Sequence, residues 1–228
     1  SSFSPRTRLV VTEQTSNLGG GAIWPLDQIQ AVSRNATDLG LSVHMDGARV
    51  LNAAVATGIP VSDYASMHDS AWLAFTKGLG CPVGAVLAGS KDFIREAWHF
   101  KRMFGGAMRQ TGVLTGMCLY ALDHHVERLS EDHARAKRIE TFLNDCELFS
   151  RVLPVDTNIV LAEISADAGL TAPELRDFLA KQNVQVMAVG RDRLRMITHL
   201  DSDDVAVDRL FEAMETAESA KIEPATGD

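Results

Sequence analysis

Apolar and polar positions alternate along this chain with two periods, and the switches between them mark its elements. Residues 8–13 (RLVVTE) read as a buried strand, followed by the loop QTSNLGGG. Pro25 opens a helical stretch to about Leu39, with Leu26, Ile29 and Val32 on one face, and Gly40 ends it. LSVHMD is the next strand, which completes a strand–helix–strand unit of the kind that makes parallel sheet. A short helix, VLNAAVAT, stops at Gly58 and Pro60. The strand around Ala71–Phe75 leads to Lys77, and GAVLAGS (84–90) returns as its neighbour. A helix runs from about Lys91 to Phe104.

From about Thr111 to Leu143 the pattern is amphipathic without proline or interior cap, and it reads as one long bridging helix. Strand NIVLAEI (158–164), helix TAPELRDFLAKQN (171–183), strands VQVMAV and RLRMITH and a last helix over 203–221 follow. Pro173 and Glu174 just after Thr171 form an N-terminal helix signature. The tail EPATGD is expected to fray. The order implies a large, mainly parallel α/β domain over residues 1–143 and a small α+β domain over 144–228.

Composition narrows the function. At 46% hydrophobic and 23% charged residues, the 228-residue chain has an ordinary globular make-up. Its net charge of −8 disfavours a nucleic-acid or anionic-membrane partner. No apolar run approaches the roughly 20 residues a bilayer demands. Three scattered cysteines (Cys81, Cys118, Cys146) fit reduced thiols, and the first residues show no signal-peptide pattern, so a cytoplasmic location is expected. The chain lacks an initiator Met and enters a strand within a few residues, as a fragment would.

The candidate chemistry sits in two strings. HMDGAR (44–49) places Asp46 and Arg49 at the end of one apolar strand, and FTKGLG (75–80) places Lys77 just after another. An acid and a lysine at neighbouring strand ends are what pyridoxal 5'-phosphate (PLP) chemistry requires. The lysine makes a Schiff base, and the acid keeps the pyridine nitrogen protonated so that the ring accepts electrons. The apolar run before Lys77 implies burial, which would depress its pKa; a lysine snorkelling at a strand end is the plainer alternative. Asp-Gly equally marks a turn. His44 shares a strand face with Asp46 and either orients it, lines the site or is structural.

Arg49, Arg195 and Arg109 are candidates for gripping a carboxylate or a phosphate, with surface ion pairs as the default for each. Arg102 reads as a solvated helix charge unless its helix end faces a phosphate. His124, His125 and His133 read as solvated helix positions without metal-ligand spacing, and Cys81 as packing. The triple glycine 19–21 fits a tight loop better than a dinucleotide site.

Taken in order, TEQTSNLGGG, HMDGAR, TKGLGCPVGAVLAGS, KRMFGGAMRQTG and RLRMITHLD resemble the PLP-dependent threonine aldolases of the β-eliminating-lyase group. The resemblance implies an aspartate-aminotransferase-like (fold type I) architecture. It implies Lys77 as the Schiff-base lysine and Asp46 as the partner of the pyridine nitrogen. Arg49 and Arg195 would hold the substrate carboxylate, with Arg49 also near the cofactor, and Arg109 and Arg102 would approach the phosphate, from a neighbouring subunit. The implied reaction cleaves a β-hydroxy-α-amino acid to glycine and an aldehyde, in a homo-oligomer (dimer or tetramer).

Three departures stand beside this. The family's N-terminal part, with its phosphate-binding turn and ring-stacking residue, has no counterpart here. Ser16 stands where histidine is common, and Arg102 where lysine is common. Another PLP reaction on the same scaffold, or a non-catalytic chain, remains an alternative.

Overall fold

The computed structural model describes residues 6–220, which form two compact units. The first comprises residues up to Thr15 and Ile23–Arg128; the second comprises Ser16–Ala22 and the chain from Leu129. The expected tail EPATGD lies outside the described residues.

In the first unit the elements are β1 (Leu9–Glu13), α1 (Leu26–Asp38), β2 (Ser42–Asp46), α2 (Val50–Thr57), α3 (Val61–Ala65), β3 (Ser70–Ala74), β4 (Ala85–Gly89), α4 (Lys91–Met103) and α5 (Gly112–His124). The sheet runs β1-β2-β3-β4, with β1, β2 and β3 parallel and β4 antiparallel to β3. This is the mixed, mostly parallel sheet that the strand–helix–strand pattern implies.

Helix α1 follows from its sequence. Pro25 supplies a fixed φ at the start, and Ile29, Ser33 and Ala36 are buried at helical spacing. In β2, Val43 and Met45 are buried on one face, so His44 and Asp46 project together from the other. Val43's face meets a core of Ile29, Met45, Val50, Ala53, Tyr64 and Ala71. Tyr64 is fully buried, with its hydroxyl 3.2 Å from the Thr57 hydroxyl. The short helix α3, which supplies Tyr64, has no strong sequence signal; five residues are too few for a visible period.

The second unit holds α6 (Leu129–Asn144), β5 (Phe149–Val152), β6 (Ile159–Ile164), α7 (Ala172–Lys181), β7 (Met187–Val189), β8 (Arg193–Ile197) and α8 (Asp204–Ala220). Its sheet, β5-β6-β8-β7, is antiparallel throughout. Helix α7 begins with the capping box that its sequence announces: the Thr171 hydroxyl accepts from the Glu174 amide, and the Glu174 carboxylate accepts from the Thr171 amide. Such a cap contributes about 1 kcal/mol. Leu175, Leu179, Leu194 and Met214 are completely buried in this unit's core.

The single helix expected over 111–143 is two helices, α5 and α6, interrupted at 125–128. Neither glycine nor proline makes the break. At the end of α5 the His125 backbone N–H still bonds the Ala121 carbonyl, while its Nδ1 lies 2.7 Å from the Leu79 carbonyl oxygen. Helix α6 belongs to the second unit, and the division along the chain falls between Arg128 and Leu129, ahead of the line expected at residue 143. Strand β5 also went unforeseen, because FSRV alternates too briefly to register.

Candidate active site

The HMDGAR turn is held by the chain that continues β1. Gln14 donates its backbone N–H to the Asp46 carbonyl at 2.8 Å, and its own carbonyl accepts from the Arg49 N–H at 3.3 Å. The Gln14 side chain, fully buried, clamps Trp24: its Nε2 donates to the Trp24 carbonyl at 3.2 Å, and its Oε1 accepts from the Trp24 N–H at 3.1 Å. The Gln14 backbone therefore brackets the residues between Asp46 and Arg49 while its side chain holds Trp24. Within the bracket, Asp46 Oδ1 accepts from the Ala48 N–H at 3.0 Å, which fixes the half-buried carboxylate at the strand end. Gly47 is required by proximity: a Cβ there would lie 2.5 Å from the Trp72 carbonyl oxygen on β3. Arg49 is buried at the start of α2.

Asp46 pairs in register with Trp72, and Lys77 follows β3 five residues later. The Lys77 amine lies 5.5 Å from the centre of the Trp72 ring, so the amine folds back toward the residue that pairs with the acid. The turn that carries it is tight: Gly80 N–H donates to the Lys77 carbonyl at 2.8 Å and Cys81 N–H to the Phe75 carbonyl at 3.0 Å, while Phe75 and Leu79 are buried beneath. Lys77 itself is exposed. The expectation of a buried, apolar setting fails because the apolar residues on either side point inward and leave the lysine on the outer side of the turn. His44 presents its Nδ1 to the Ser70 hydroxyl at 2.8 Å, across to β3.

In the second unit, Arg195 is buried on β8, between Leu161 and Met187 in register. Its Nη2 donates to Asn17 Oδ1 at 2.6 Å, a partner 178 residues away in sequence. Its Nε is buried with no hydrogen-bond partner among the described residues. Burial lowers the guanidinium's pKa from its ordinary value, the mark of a cation without enough polar company. A bidentate carboxylate is the ligand that would satisfy such a fork.

The loop that supplies Asn17 is itself anchored, with the Thr157 hydroxyl donating to the Gly21 carbonyl at 2.8 Å. Arg102, in the last turn of α4, and Arg109, in the connection to α5, are both exposed. The structure thus gathers Asp46, Arg49 and Lys77 at one end of the first sheet and sets Arg195 on Asn17 in the second unit. Gln14 and Asn17 are the residues that the sequence pattern did not single out; both lie inside the quoted string TEQTSNLGGG, but nothing in the string reveals which partners they clamp. His125 and His133, expected to be solvated, are not: the former holds Leu79, and burial pushes the latter's pKa down.

The family model for beta-eliminating lyases matches residues 1–167. The chain belongs to the beta-eliminating lyase family. Among curated relatives, a probable low-specificity L-threonine aldolase of Arabidopsis thaliana is 37% identical over 212 residues, covering 92% of this chain and 60% of the relative. The low specificity L-threonine aldolase of Escherichia coli K12 is 34% identical over 196 residues, covering 86% of this chain and 56% of the relative. The chain thus spans little more than half the length of the curated relatives that it matches.

Among solved structures, a putative L-allo-threonine aldolase from Listeria monocytogenes superposes with a TM-score of 0.75 at 20% identity, over 91% of this chain and 60% of that one. The Leishmania major threonine aldolase gives 0.71 at 17% identity, over 94% and 61%. N-acetylornithine aminotransferase from Stenotrophomonas maltophilia also matches, at 0.68. The fold is that of the fold type I PLP enzymes. No helix of the described residues is long and apolar enough to cross a membrane.

Proposed function

We propose that the protein to which this chain belongs is a PLP-dependent aldolase, cleaving a β-hydroxy-α-amino acid such as threonine, allo-threonine or phenylserine to glycine and an aldehyde. The observation that carries the reading is the Asp46 carboxylate and the Lys77 amine at the ends of neighbouring parallel strands, joined through Trp72. The residues present fit PLP: a half-buried acid with a fixed orientation for the ring nitrogen, and an exposed amine for the aldehyde. When bound, PLP supplies an electron sink for the bond that breaks.

Asp46 holds a proton at the ring nitrogen, with its Oδ1 kept in place by the Ala48 amide. Lys77 would supply the amine that anchors the cofactor. Arg195, with an unpartnered buried Nε, is suited to the substrate carboxylate, and Arg49 shares that role or reaches the cofactor. Arg109 and Arg102 are assigned to the phosphate. Scattered free thiols favour a cytoplasmic location. Exposed Trp98, Phe104 and Tyr120 on and after α4 and α5 favour a homo-oligomer, a dimer or tetramer.

Borohydride reduction of the purified protein with PLP, followed by peptide mapping, tests the anchor, and an aldehyde assay with threonine and phenylserine tests the reaction. A pyridoxyl group on Lys77 and release of aldehyde are expected. Labelling elsewhere would refute the site. Keto acid and ammonia in place of aldehyde would assign an elimination instead.

A further inference from the structure

The loop after β3 and helix α5 hold two thiols side by side. Cys81 Sγ lies 3.7 Å from the Met117 carbonyl oxygen, and Cys118 Sγ lies 3.8 Å from the Val83 carbonyl oxygen. Each sulfur therefore reaches the backbone next to the other cysteine, a reciprocal arrangement that neither chain segment produces alone. Both pack around Phe75, Leu79 and Ala121, and the Cys118 sulfur also lies against Gly84, where an added Cβ would stand 3.2 Å from it. Cys146, the remaining cysteine, is buried in the second unit.

The pair is reachable. An open groove of about 460 Å³ runs between residues 79–82 and α5, with Cys81 in its lining. Cys118 is half-buried, Cys81 buried.

We propose that Cys81 and Cys118 form an oxidisable dithiol that a hydroperoxide converts into an intramolecular disulfide, tying the turn that bears Lys77 to α5. With hydrogen peroxide the Cys118 sulfur attacks one peroxide oxygen, the O–O bond breaks, and a sulfenic acid and water form. The Cys81 sulfur then attacks the Cys118 sulfur; the S–O bond breaks, the S–S bond forms, and the departing hydroxide leaves as water with the Cys81 proton. Both sulfurs are oxidised, and one peroxide is reduced to two waters. Burial beside Cys118 pushes the Cys81 thiol up, which suits Cys81 to the second step and leaves the first attack to the more exposed sulfur. Cys81 lies four residues beyond Lys77, and His125 at the end of α5 already holds Leu79 in the same turn, so the bond would close a link that packing has begun.

The purified protein is treated with hydrogen peroxide, and its free thiols are counted after unfolding. The count should fall from three to one, and return to three with a dithiol reductant. Peptide mapping without reductant should recover Cys81 joined to Cys118. In Cys146→Ala the count should fall from two to none; in Cys118→Ser it should stay at two. An unchanged count in the parent protein, a disulfide that includes Cys146, a link between two chains, or Cys118 carried on to sulfinic acid without a disulfide would each overturn the proposal. The parent's peptide map decides the matter even where a variant fails to fold.

Discussion

Replacing Gly47 by alanine tests how β2 and β3 are brought together at the candidate active site. The new Cβ would stand 2.5 Å from the Trp72 carbonyl oxygen, where ordinary contact begins at 3.4 Å, and Val50 at 3.3 Å closes another direction. The obstructing atom is backbone in the middle of a sheet, so no side chain can rotate aside. The strands must separate by up to about 0.9 Å locally, at an overpacking cost of about 1–3 kcal/mol. Weakening one ladder hydrogen bond adds about 1 kcal/mol.

For a chain of this size those terms together lower Tm by about 4–16 °C. Thermal unfolding followed by tryptophan fluorescence reads the shift. Gly116→Ala is the control: it lies in α5 with nothing within 4 Å of the added Cβ, and helix propensity should stabilise it by up to about 1 kcal/mol. Because Asp46 and Trp72 are in register, Gly47→Ala should also reduce the PLP trapped on Lys77 by borohydride. A Gly47→Ala protein that melts within a degree or two of its parent, or a Gly116→Ala protein that falls as far, would refute the close-approach argument.

Asp46→Asn should keep the fold, since the amide oxygen can still accept from Ala48, yet lose about 2–4 kcal/mol of transition-state stabilisation. Steady-state aldehyde release would show this as a fall in kcat of about 30- to 1,000-fold, and an unchanged kcat would sink the role. Asn17→Ala removes the 2.6 Å acceptor of the Arg195 guanidinium, a charged hydrogen bond of about 1.5–3 kcal/mol, and should raise KM about 10- to 100-fold with a smaller change in kcat. An unaltered KM would detach Asn17 from substrate binding.

Stability should also decline in alkali. Burial pushes the Cys146 thiol up from 9.0 to about 11, so the folded state holds the proton more tightly than the unfolded chain. The stabilisation is complete below pH 9.0 and is lost as pH rises toward about 11, with an upper bound of about 2–3 kcal/mol. Urea unfolding at pH 8 and pH 10.5 should show the decline in the parent protein and a flatter profile in Cys146→Ala; parallel profiles would contradict it.

The sequence is most legible where one element answers to one period. β2 alternates cleanly, α1 repeats at helical spacing between Pro25 and Gly40, and α7 carries its own cap. Those local signals placed Asp46 and Lys77 at neighbouring strand ends. What stayed illegible depends on partners far away in sequence. The interruption after α5 carries no glycine or proline, and the pattern in 111–143 does not encode it. The exposure of Lys77 follows from which side of a four-residue turn faces inward, and an apolar flank looks the same either way. Gln14 and Asn17 are polar residues in a loop; only the fold shows that one brackets the HMDGAR turn and the other holds a buried arginine.

The assignment of Ser16–Ala22 to the second unit means that neither unit is a continuous stretch of chain. A ribosome delivers Asn17 long before the strand that carries Arg195, and their contact has the largest sequence separation of the side-chain hydrogen bonds described here. The Arg195 guanidinium is therefore among the last groups to gain its neighbour during synthesis. A cut at Arg128 would not release two self-sufficient pieces. The early segment would carry a loop made for a sheet not yet present, and the late one would hold a buried guanidinium with its acceptor left behind.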